Sequence, residues 1–262
     1  MINKKVIKER FNKSSSEYNN YAFVQKIMAK KLIKYIKNTN VNSILEIGCG
    51  TGILTKKLLS KYKNAKLTVL DISENMILEC KKNLIKSNVC TNNIEFICFD
   101  GENYSDDKKY DLIISNATFQ WFKHPILSIK NYENMLSKKG EIIISTFGEN
   151  TFIELEKSGS KACKALNTNK VNFRKSFLCE KDFESHLLCE NFIVKSENIK
   201  EYFDSSIDFL KSVRKIGANI CDENNIISPN IMKKTLNIYN ENFKENNKVY
   251  ATYHCIYLYK KK

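Results

Sequence analysis

The residues with the clearest chemical meaning are three alternating glycines, Gly48, Gly50 and Gly52, which follow the apolar run 44–47 and precede a helical pattern. A strand, a tight turn and a helix N-terminus in this order suit a nucleotide-like ligand, because glycine lets a ligand lie against the main chain. The dinucleotide spacing G-x-G-x-x-G is not met, since Ile53 occupies the place of the third glycine. The alternative interpretation is an ordinary turn between a strand and a helix.

Polar side chains stand at the ends of four predicted strands: Glu46, Asp71, Asp100 and Asn116. The carboxyl ends of parallel strands share one edge of a sheet, where open α/β sheets bind their ligands. Asp71 follows the glycines by about twenty residues, and its two oxygens can accept from both hydroxyls of a ribose. The convergence of four residues predicts a ligand site more strongly than the glycines do alone.

Alternating strands and helices must position these residues. Beyond the glycines, strands are predicted from apolar runs at 65–71, 94–101, 110–116, 141–146, 192–203 and 249–259. Helical spacing of apolar residues predicts helices within 4–37, at 73–84 and at 126–137. This alternation is typical of a parallel sheet with helices on both faces, to which the final strand is added in the antiparallel direction.

Composition limits the remaining classes of protein. The 262 residues are 42% hydrophobic, which suits one sizeable α/β domain, and no apolar run is long enough to cross a bilayer. The N-terminus has no apolar signal segment, so a cytoplasmic location is expected. Nine cysteines without a C-x-x-C pair, together with only three histidines, predict that there is no metal site.

The chain is strongly basic, with a formal net charge of +14 and with Arg10, Arg174 and Arg214 as the only arginines among 43 basic residues. Because lysines are spread along most segments, the basic surface is interpreted first as a solvated one rather than as a recognition patch. It still favours an acidic partner through long-range attraction.

The glycine turn and the strand-end acids together resemble the Rossmann-like S-adenosylmethionine-dependent methyltransferases, over about residues 40–147. The resemblance implies an α/β fold with a mostly parallel seven-stranded sheet, an antiparallel last strand and a helical cap inserted after strand five. It also implies S-adenosylmethionine as cofactor, with its methionine part at the turn, its ribose at Asp71 and its adenine amine at Asp100. The cofactor-binding residues implied in this way are Glu46, Gly48, Cys49, Gly50, Gly52, Asp71, Ile72, Met76, Asp100, Gly101 and Asn116.

Segments outside this core resemble a narrower family, the malonyl-[acyl-carrier protein] O-methyltransferases of biotin synthesis. The segments are Arg10-Phe11, Tyr18, Tyr21-Ala22, Gln25 and the stretches 116–121, 209–218 and 251–253. Arg214 departs from the family pattern, in which lysine is expected at this place. The resemblance implies methyl transfer from S-adenosylmethionine to the free carboxylate of a malonyl thioester, giving the methyl ester that starts pimeloyl assembly.

The acceptor site is predicted directly after the fourth strand, at Phe119, Gln120 and Trp121. Many amino-group methyltransferases carry a proline-containing motif here, which this chain lacks because its first proline is Pro125. The alternative interpretation of Trp121 is a core anchor for the following helix. Tyr18 is predicted as the catalytic residue, orienting the carboxylate through its hydroxyl. The cations expected to select a second carboxyl group are Arg174, Lys211 and Arg214.

The expected organisation is a single methyltransferase domain, 1–262, with an N-terminal helical lid (1–37), a cofactor-binding core (40–147) and two helical cap segments (148–190 and 204–246). One cap helix is predicted at 206–216, with Ser206 as its N-cap and Gly217 as its stop.

The expected partner is an acyl carrier protein that carries malonyl, and malonyl-coenzyme A is the alternative. Neither a nucleic acid nor a membrane is expected as a partner. Two other functions stay open. One is methylation of another small carboxylic acid such as trans-aconitate. The other is a basic RNA-binding module that uses the fold without catalysis.

Overall fold

The computed structural model describes residues 3–169, 171–187, 191–218 and 227–261 around a central β-sheet. Its strands are β1 (Ser43–Ile47), β2 (Lys66–Asp71), β3 (Ile94–Cys98), β4 (Tyr110–Asn116), β5 (Leu136–Phe147), β6 (Ile193–Phe203), β7 (Lys244–Glu245) and β8 (Lys248–Lys261). Their spatial order is β3-β2-β1-β4-β5-β8-β6, and β7 pairs with β8. Strands β1 to β5 run parallel, whereas β8 is antiparallel to both of its neighbours.

The sheet confirms the predicted fold class, including the antiparallel last strand, and adds one short strand to it. Strand β7 has two residues and forms a hairpin with β8 through Asn246 and Asn247. Both asparagines have positive φ, 49° and 63°, which a two-residue hairpin turn of this kind requires. A strand of two residues has no period that the sequence could show.

Helices in the described part cover both faces of the sheet: α1 (Lys4–Ser14), α2 (Tyr18–Tyr21), α3 (Phe23–Tyr35), α4 (Ile53–Lys61), α5 (Glu74–Lys86), α6 (Pro125–Glu133), α7 (Ile153–Ala165), α8 (Glu180–Leu187), α9 (Ser206–Lys215) and α10 (Pro229–Asn242). In β1, Ile44 belongs to one core cluster with Leu58 of α4, whereas Leu45 belongs to a second cluster with Tyr132 of α6. Because both faces are buried, the strand is apolar at Ile44, Leu45 and Ile47, and its one charged residue, Glu46, is buried as well.

The predicted helical segment at 4–37 is divided into three helices. At the end of α1, the hydroxyls of Ser14 and Ser15 donate to the carbonyls three residues earlier. Serine bonds of this type compete with continuation of a helix. The break leaves Tyr18 on a separate short turn, α2, which directs it independently of α1 and α3.

The boundary between α6 and β5 differs from the prediction, because the helix ends at Glu133 and the strand already begins at Leu136. The amide of Tyr110 donates to the carbonyl of Met135 at 2.8 Å, and Leu136 pairs with Tyr110. The early part of β5 is therefore held by pairing with β4 rather than by an apolar pattern of its own.

The segments expected to form a cap are largely helical where the structure describes them, with residues 170, 188–190 and 219–226 outside the described ranges. Ser205, rather than Ser206, is the N-cap of α9, and its Oγ accepts from the amide of Asp208 at 3.2 Å. The amide of Ser206 instead donates to Asn240 of α10 at 2.9 Å. Gly217 lies just past the helix with φ 73°, as the predicted stop.

Throughout the described ranges, no helix is both long and apolar enough to cross a membrane.

Candidate active site

The glycine turn after β1 shapes one side of a cavity at the carboxyl ends of the parallel strands. The amides of Gly48 and Cys49 donate to the carbonyl of Leu70 at 2.8 and 2.9 Å, which seats the turn against β2. Gly48 has φ 72°, and a β-carbon there would lie 2.1 Å from Oγ1 of Thr118. Gly50 has φ 53°, and a β-carbon there would meet nothing within 4 Å. The turn therefore packs closely on one side and faces open space at Gly50.

Asp71, at the end of β2, holds the turn from the other side. Its Oδ2 accepts from the amide of Gly50 at 2.9 Å, and its Oδ1 accepts from the amide of Ser73 at 2.8 Å. Burial raises the pKa of Asp71 to about 6, although these amides favour the ionised form. Each carboxylate oxygen has two lone pairs, so both oxygens can accept a further hydrogen bond from a ligand.

Asp100 follows β3 and is in contact with the first helix. The Nζ of Lys4 lies 3.1 Å from Oδ1 of Asp100 and 2.7 Å from Oε2 of Glu102. It also lies 4.7 Å from the centre of the Phe122 ring. Helix α1 is thus fastened beside the cavity. No pattern in the sequence distinguished Lys4 from the other basic residues, which number 43 in total.

This cavity, named here the cofactor cavity, is lined by eight of the predicted cofactor residues: Gly48, Gly50, Asp71, Ile72, Met76, Asp100, Gly101 and Asn116. Another part of the lining was not predicted to bind the cofactor, namely Lys4, Ile7, Phe11, Ile47, Ala117, Thr118 and Phe122.

Three predicted cofactor residues, Glu46, Cys49 and Gly52, are not among the described residues that line this cavity. Glu46 is 1% exposed, and burial raises the pKa of its carboxyl well above the ordinary value. A β-carbon on Gly52 would lie 2.8 Å from Sγ of Cys80, so this glycine is required by packing against α5. These three residues therefore support the glycine turn rather than line the cavity.

A second cavity, named here the acceptor cavity, adjoins the first and shares the wall residues Phe11, Tyr18, Ala117 and Trp121 with it. Apolar and aromatic side chains dominate the rest of its lining, which consists of Gln25, Gln120, Phe147, Thr151, Phe152, Phe177, Ile216, Ala218 and Tyr253. A group placed at the shared residues can therefore be reached from both cavities.

Tyr18 stands at this junction. Burial, and secondly the nearby carboxylate of Asp71, raise the pKa of Tyr18 above its ordinary value. The hydroxyl therefore keeps its proton at neutral pH and can donate a hydrogen bond. Nearby, Oγ1 of Thr51 donates to Oδ1 of Asn19 at 2.6 Å, which ties α2 to the glycine turn.

Gln120 and Trp121 lie in the acceptor cavity, where they were expected. The Nε2 of Gln120 donates to the carbonyl of Ala117 at 2.6 Å, and its Oε1 accepts from Thr146 at 3.1 Å. The ring of Trp121 meets that of Phe11 edge-on at 5.6 Å. Ala117 has φ 52°, a conformation that is uncommon for residues other than glycine. Residues in such conformations occur frequently at functional sites.

Phe119 does not line the acceptor cavity, contrary to the prediction. It is 1% exposed, and its ring packs 4.6 Å from that of Phe122 in the core. Phe119 also borders an outer cavity formed with Gln120, Lys175 and Phe177. In the segment after β4, the ring of Phe119 therefore points into the core, whereas Trp121 lines the acceptor cavity.

Lys211 and Arg214, which were predicted as candidates to select the second carboxyl group, also lie away from the acceptor cavity. Both are on the exposed face of α9, because Phe209 and Val213 occupy its buried face. Arg174 is closer, since its Nη1 donates to the carbonyl of Thr151, a lining residue, at 3.4 Å.

Lys175 is a basic residue near the acceptor cavity that sequence reasoning missed. Its Nζ lies 4.3 Å from the centre of the Trp121 ring and 2.7 Å from the carbonyl of Gln120. The outer cavity that it lines borders the acceptor cavity through Gln120, Phe147 and Phe177. Lys175 stands in a polar stretch without a helical or strand period, so no pattern pointed to it.

Comparison with known proteins first defines the class. A family model described as a methyltransferase domain matches residues 44–140. In fold, the chain is similar to the YcgJ protein from Bacillus subtilis, with a TM-score of 0.61 at 11% identity, over 90% of this chain and 98% of that one. At this identity the likeness concerns the fold alone. The family match and the likeness in fold together define a methyltransferase with a Rossmann-like fold.

Relatives over the full length then define the family. A protein of Acetivibrio thermocellus is 36% identical over 274 residues, covering 100% of this chain and 95% of its own. One of Priestia megaterium is 37% identical over 273 residues, covering 98% of this chain and 97% of its own. Both are named malonyl-[acyl-carrier protein] O-methyltransferase. This chain belongs to that family, which confirms the predicted class of S-adenosylmethionine-dependent carboxyl O-methyltransferase.

Proposed function

We propose that this protein transfers the methyl group of S-adenosylmethionine to the free carboxylate of malonyl-acyl carrier protein, giving the methyl ester that starts pimeloyl assembly in biotin synthesis. The observation that carries the proposal is the junction of the two cavities at Phe11, Tyr18, Ala117 and Trp121. A donor in one cavity and an acceptor in the other can meet there. Full-length similarity to relatives with this name supports the choice of acceptor.

The cofactor cavity suits S-adenosylmethionine. Open space at Gly50 leaves room for its methionine part against the main chain, and the acceptor oxygens of Asp71 suit its ribose hydroxyls. At the junction, the rings of Tyr18 and Trp121 favour a positively charged group, because aromatic faces attract cations. When bound, S-adenosylmethionine supplies an electrophilic methyl group on a positively charged sulfur.

The chain itself has to position and desolvate the acceptor. A malonyl carboxylate is already ionised at neutral pH, because reference carboxyl pKa values are near 4, so no residue must remove a proton. The hydroxyl of Tyr18 donates one hydrogen bond that orients the carboxylate toward the junction. Phe152, Phe177 and Trp121 exclude water from the attacking oxygen and hold it in line.

Selection of a malonyl group over an uncharged acyl chain requires a cation near the acceptor cavity. We assign this role to Lys175, because its ammonium lies against the outer side of Trp121 and Gln120. At this position it attracts the carboxylate without forming a close pair, which would weaken the nucleophile. Arg174 is the second candidate through its bond to the carbonyl of Thr151.

We assign the role of lid to the N-terminal segment 1–37 and that of cap to the segments 148–190 and 204–246. Phe11 and Tyr18 from the lid segment form the wall shared by both cavities. Phe152, Phe177 and Ile216 from the cap segments close the acceptor cavity from the opposite side. The acceptor cavity therefore lies between these two groups of elements.

The decisive experiment compares transfer of labelled methyl from S-adenosylmethionine to malonyl-carrier protein, malonyl-coenzyme A and free malonate. We expect carrier-bound malonyl to be methylated most efficiently and free malonate least. Equal rates on free malonate or on trans-aconitate would show a methyltransferase for small acids instead. Salt-sensitive RNA binding without methyl transfer to any acid would show a binding module.

A further inference from the structure

A groove lined by lysines lies where helices α3, α4 and α5 meet. It contains Lys26, Lys30, Lys56, Lys57, Lys61 and Lys86. The rest of its described lining is polar or aliphatic, with neither an aspartate nor a glutamate: Asn19, Ile33, Thr51, Gly52, Ile53, Ser60, Asn83, Leu84 and Ser87. We call it the lysine groove.

The positive charge of the lysine groove is not neutralised from within the described part of the chain, where no carboxylate lies at ion-pair distance from any of its six amino groups. Three of them donate to uncharged oxygens instead, namely Lys26 to the carbonyl of Asn19, Lys56 to Ser87 and Lys61 to the carbonyl of Ile33. Some lysines elsewhere on the surface are paired, as in Lys31–Glu197, Lys200–Glu245 and Lys215–Glu17. The lysine groove is distinguished by its six ammonium groups around one concave surface, whose described lining contains no carboxylate.

The lysines of the groove are also arranged in rows. Lys26 and Lys30 are four residues apart on α3, and Lys57 and Lys61 are four residues apart on α4. Residues at this spacing lie one above the other on a helix surface. Such rows match a helix that presents carboxylates at the same spacing.

The groove adjoins the wall of the acceptor cavity. Asn19 and Lys26 line the groove, while Tyr18 and Gln25, the residues directly before them, line the acceptor cavity. Helix α2 and the first turn of α3 thus separate the two. A protein held in the lysine groove would lie next to the N-terminal helices that enclose the acceptor.

We propose that the lysine groove docks the acyl carrier protein through an acidic helix on the carrier surface. This inference rests on the proposed function, which supplies the carrier as substrate. Charge complementarity favours it, because six unpaired ammonium groups attract and orient an acidic partner. A single-stranded nucleic acid fits less well, because no aromatic ring in the described lining offers a base a stacking surface.

The test reverses two charges in the groove and two at a distant site. Lys30→Glu/Lys86→Glu changes exposed side chains on α3 and α5 that make no hydrogen bond or ion pair in the described structure. Lys138→Glu/Lys139→Glu, at the start of β5, changes the net charge equally. Steady-state kinetics are measured with malonyl-carrier protein and with malonyl-coenzyme A. For the groove variant, we expect KM for the carrier substrate to rise about tenfold at low salt and the effect to shrink at high salt.

Several results would overturn the docking proposal. They are an unchanged KM for the carrier substrate, an equal rise with malonyl-coenzyme A, and an equal effect in the distant variant. Loss of RNA binding by the groove variant with unchanged carrier kinetics would assign the groove to a nucleic acid. If the wild type methylates no malonyl thioester, the proposed function is wrong, but the docking proposal can still be tested. In that case, titration with the phosphopantetheinylated carrier protein decides whether the groove docks it.

Discussion

The two cavities of this protein are built in different ways. The cofactor cavity takes most of its polar groups from the ends of neighbouring strands β1, β2, β3 and β4, which lie within residues 43–116. The acceptor cavity combines α1, α2, the segment after β4, and residues as distant as Phe177 and Tyr253. The first is fixed by backbone geometry, whereas the second depends on how separate aromatic side chains pack. Substitutions should therefore act on binding in the first and on turnover and selectivity in the second.

The largest expected effect is on the cofactor side. Gly48→Ala should weaken binding of S-adenosylhomocysteine by about 100-fold, because alanine at positive φ costs about 1–2 kcal/mol and its β-carbon would overlap Thr118. Isothermal titration gives the affinity, and thermal unfolding gives the stability.

Gly50→Ala is the matched control, because the same backbone strain arises there without an overlap. It should lower the unfolding temperature less than Gly48→Ala does. A second control, Thr118→Ala in the Gly48→Ala background, should recover part of the lost affinity. If it recovers none, the close approach to Thr118 is not the cause.

On the acceptor side, Tyr18→Phe should reduce kcat with malonyl-carrier protein by about 30-fold, because a hydrogen bond to a charged group contributes about 2 kcal/mol. Affinity for S-adenosylhomocysteine should change little. Tyr21→Phe, on the same short helix but outside both linings, is the control. Near-normal turnover of Tyr18→Phe would show that the hydroxyl does not orient the carboxylate.

The cofactor cavity should also respond to pH through Asp71, whose pKa is raised to about 6. The ionised carboxylate is the better acceptor for ribose hydroxyls, so the affinity for S-adenosylhomocysteine should fall as pH decreases through 6. One unit below that pKa about nine-tenths of the groups are protonated, and the affinity should be about tenfold weaker. Asp71→Asn should bind weakly and show no change between pH 5 and 7. A flat profile for the wild type would contradict this assignment.

The smallest of these effects is expected for selectivity. Lys175→Met should weaken competitive binding of malonyl-pantetheine about fivefold and leave that of acetyl-pantetheine unchanged, because an ammonium screened by water attracts a carboxylate only moderately. Lys123→Met, which changes a lysine of the same outer cavity, is the control. Equal losses for both ligands would indicate altered packing on Trp121 rather than lost attraction.

The difference between the cavities also explains which parts could be predicted. The core strands followed from their own apolar patterns, and the positions of Asp71, Asp100 and Asn116 followed from the sheet edge that parallel strands share. The other predicted cofactor residues were implied by the family resemblance. Lys4 escaped prediction because its role depends on the distance between α1 and Asp100 in the folded chain. The same applies to Lys175, whose partner Trp121 lies in another segment.

The predicted substrate residues that lie away from the acceptor cavity were chosen in the same way. Phe119, Lys211 and Arg214 were selected because they lie in segments that resemble the family, and the segments were taken to face the substrate as a whole. A helix presents only part of its surface to a cavity, and α9 directs Phe209 and Val213 inward. The position of a segment and the direction of its side chains are separate questions, and only the first followed from sequence.

The hydrogen bond between Thr51 and Asn19 has a consequence for how the reactants are aligned. Thr51 belongs to the glycine turn beside the cofactor cavity, and Asn19 directly follows Tyr18, which lines both cavities. We therefore expect a displacement of the turn to reach the residue next to Tyr18 across two side chains rather than through the whole sheet. This contact therefore couples the position of the glycine turn to that of the short helix α2.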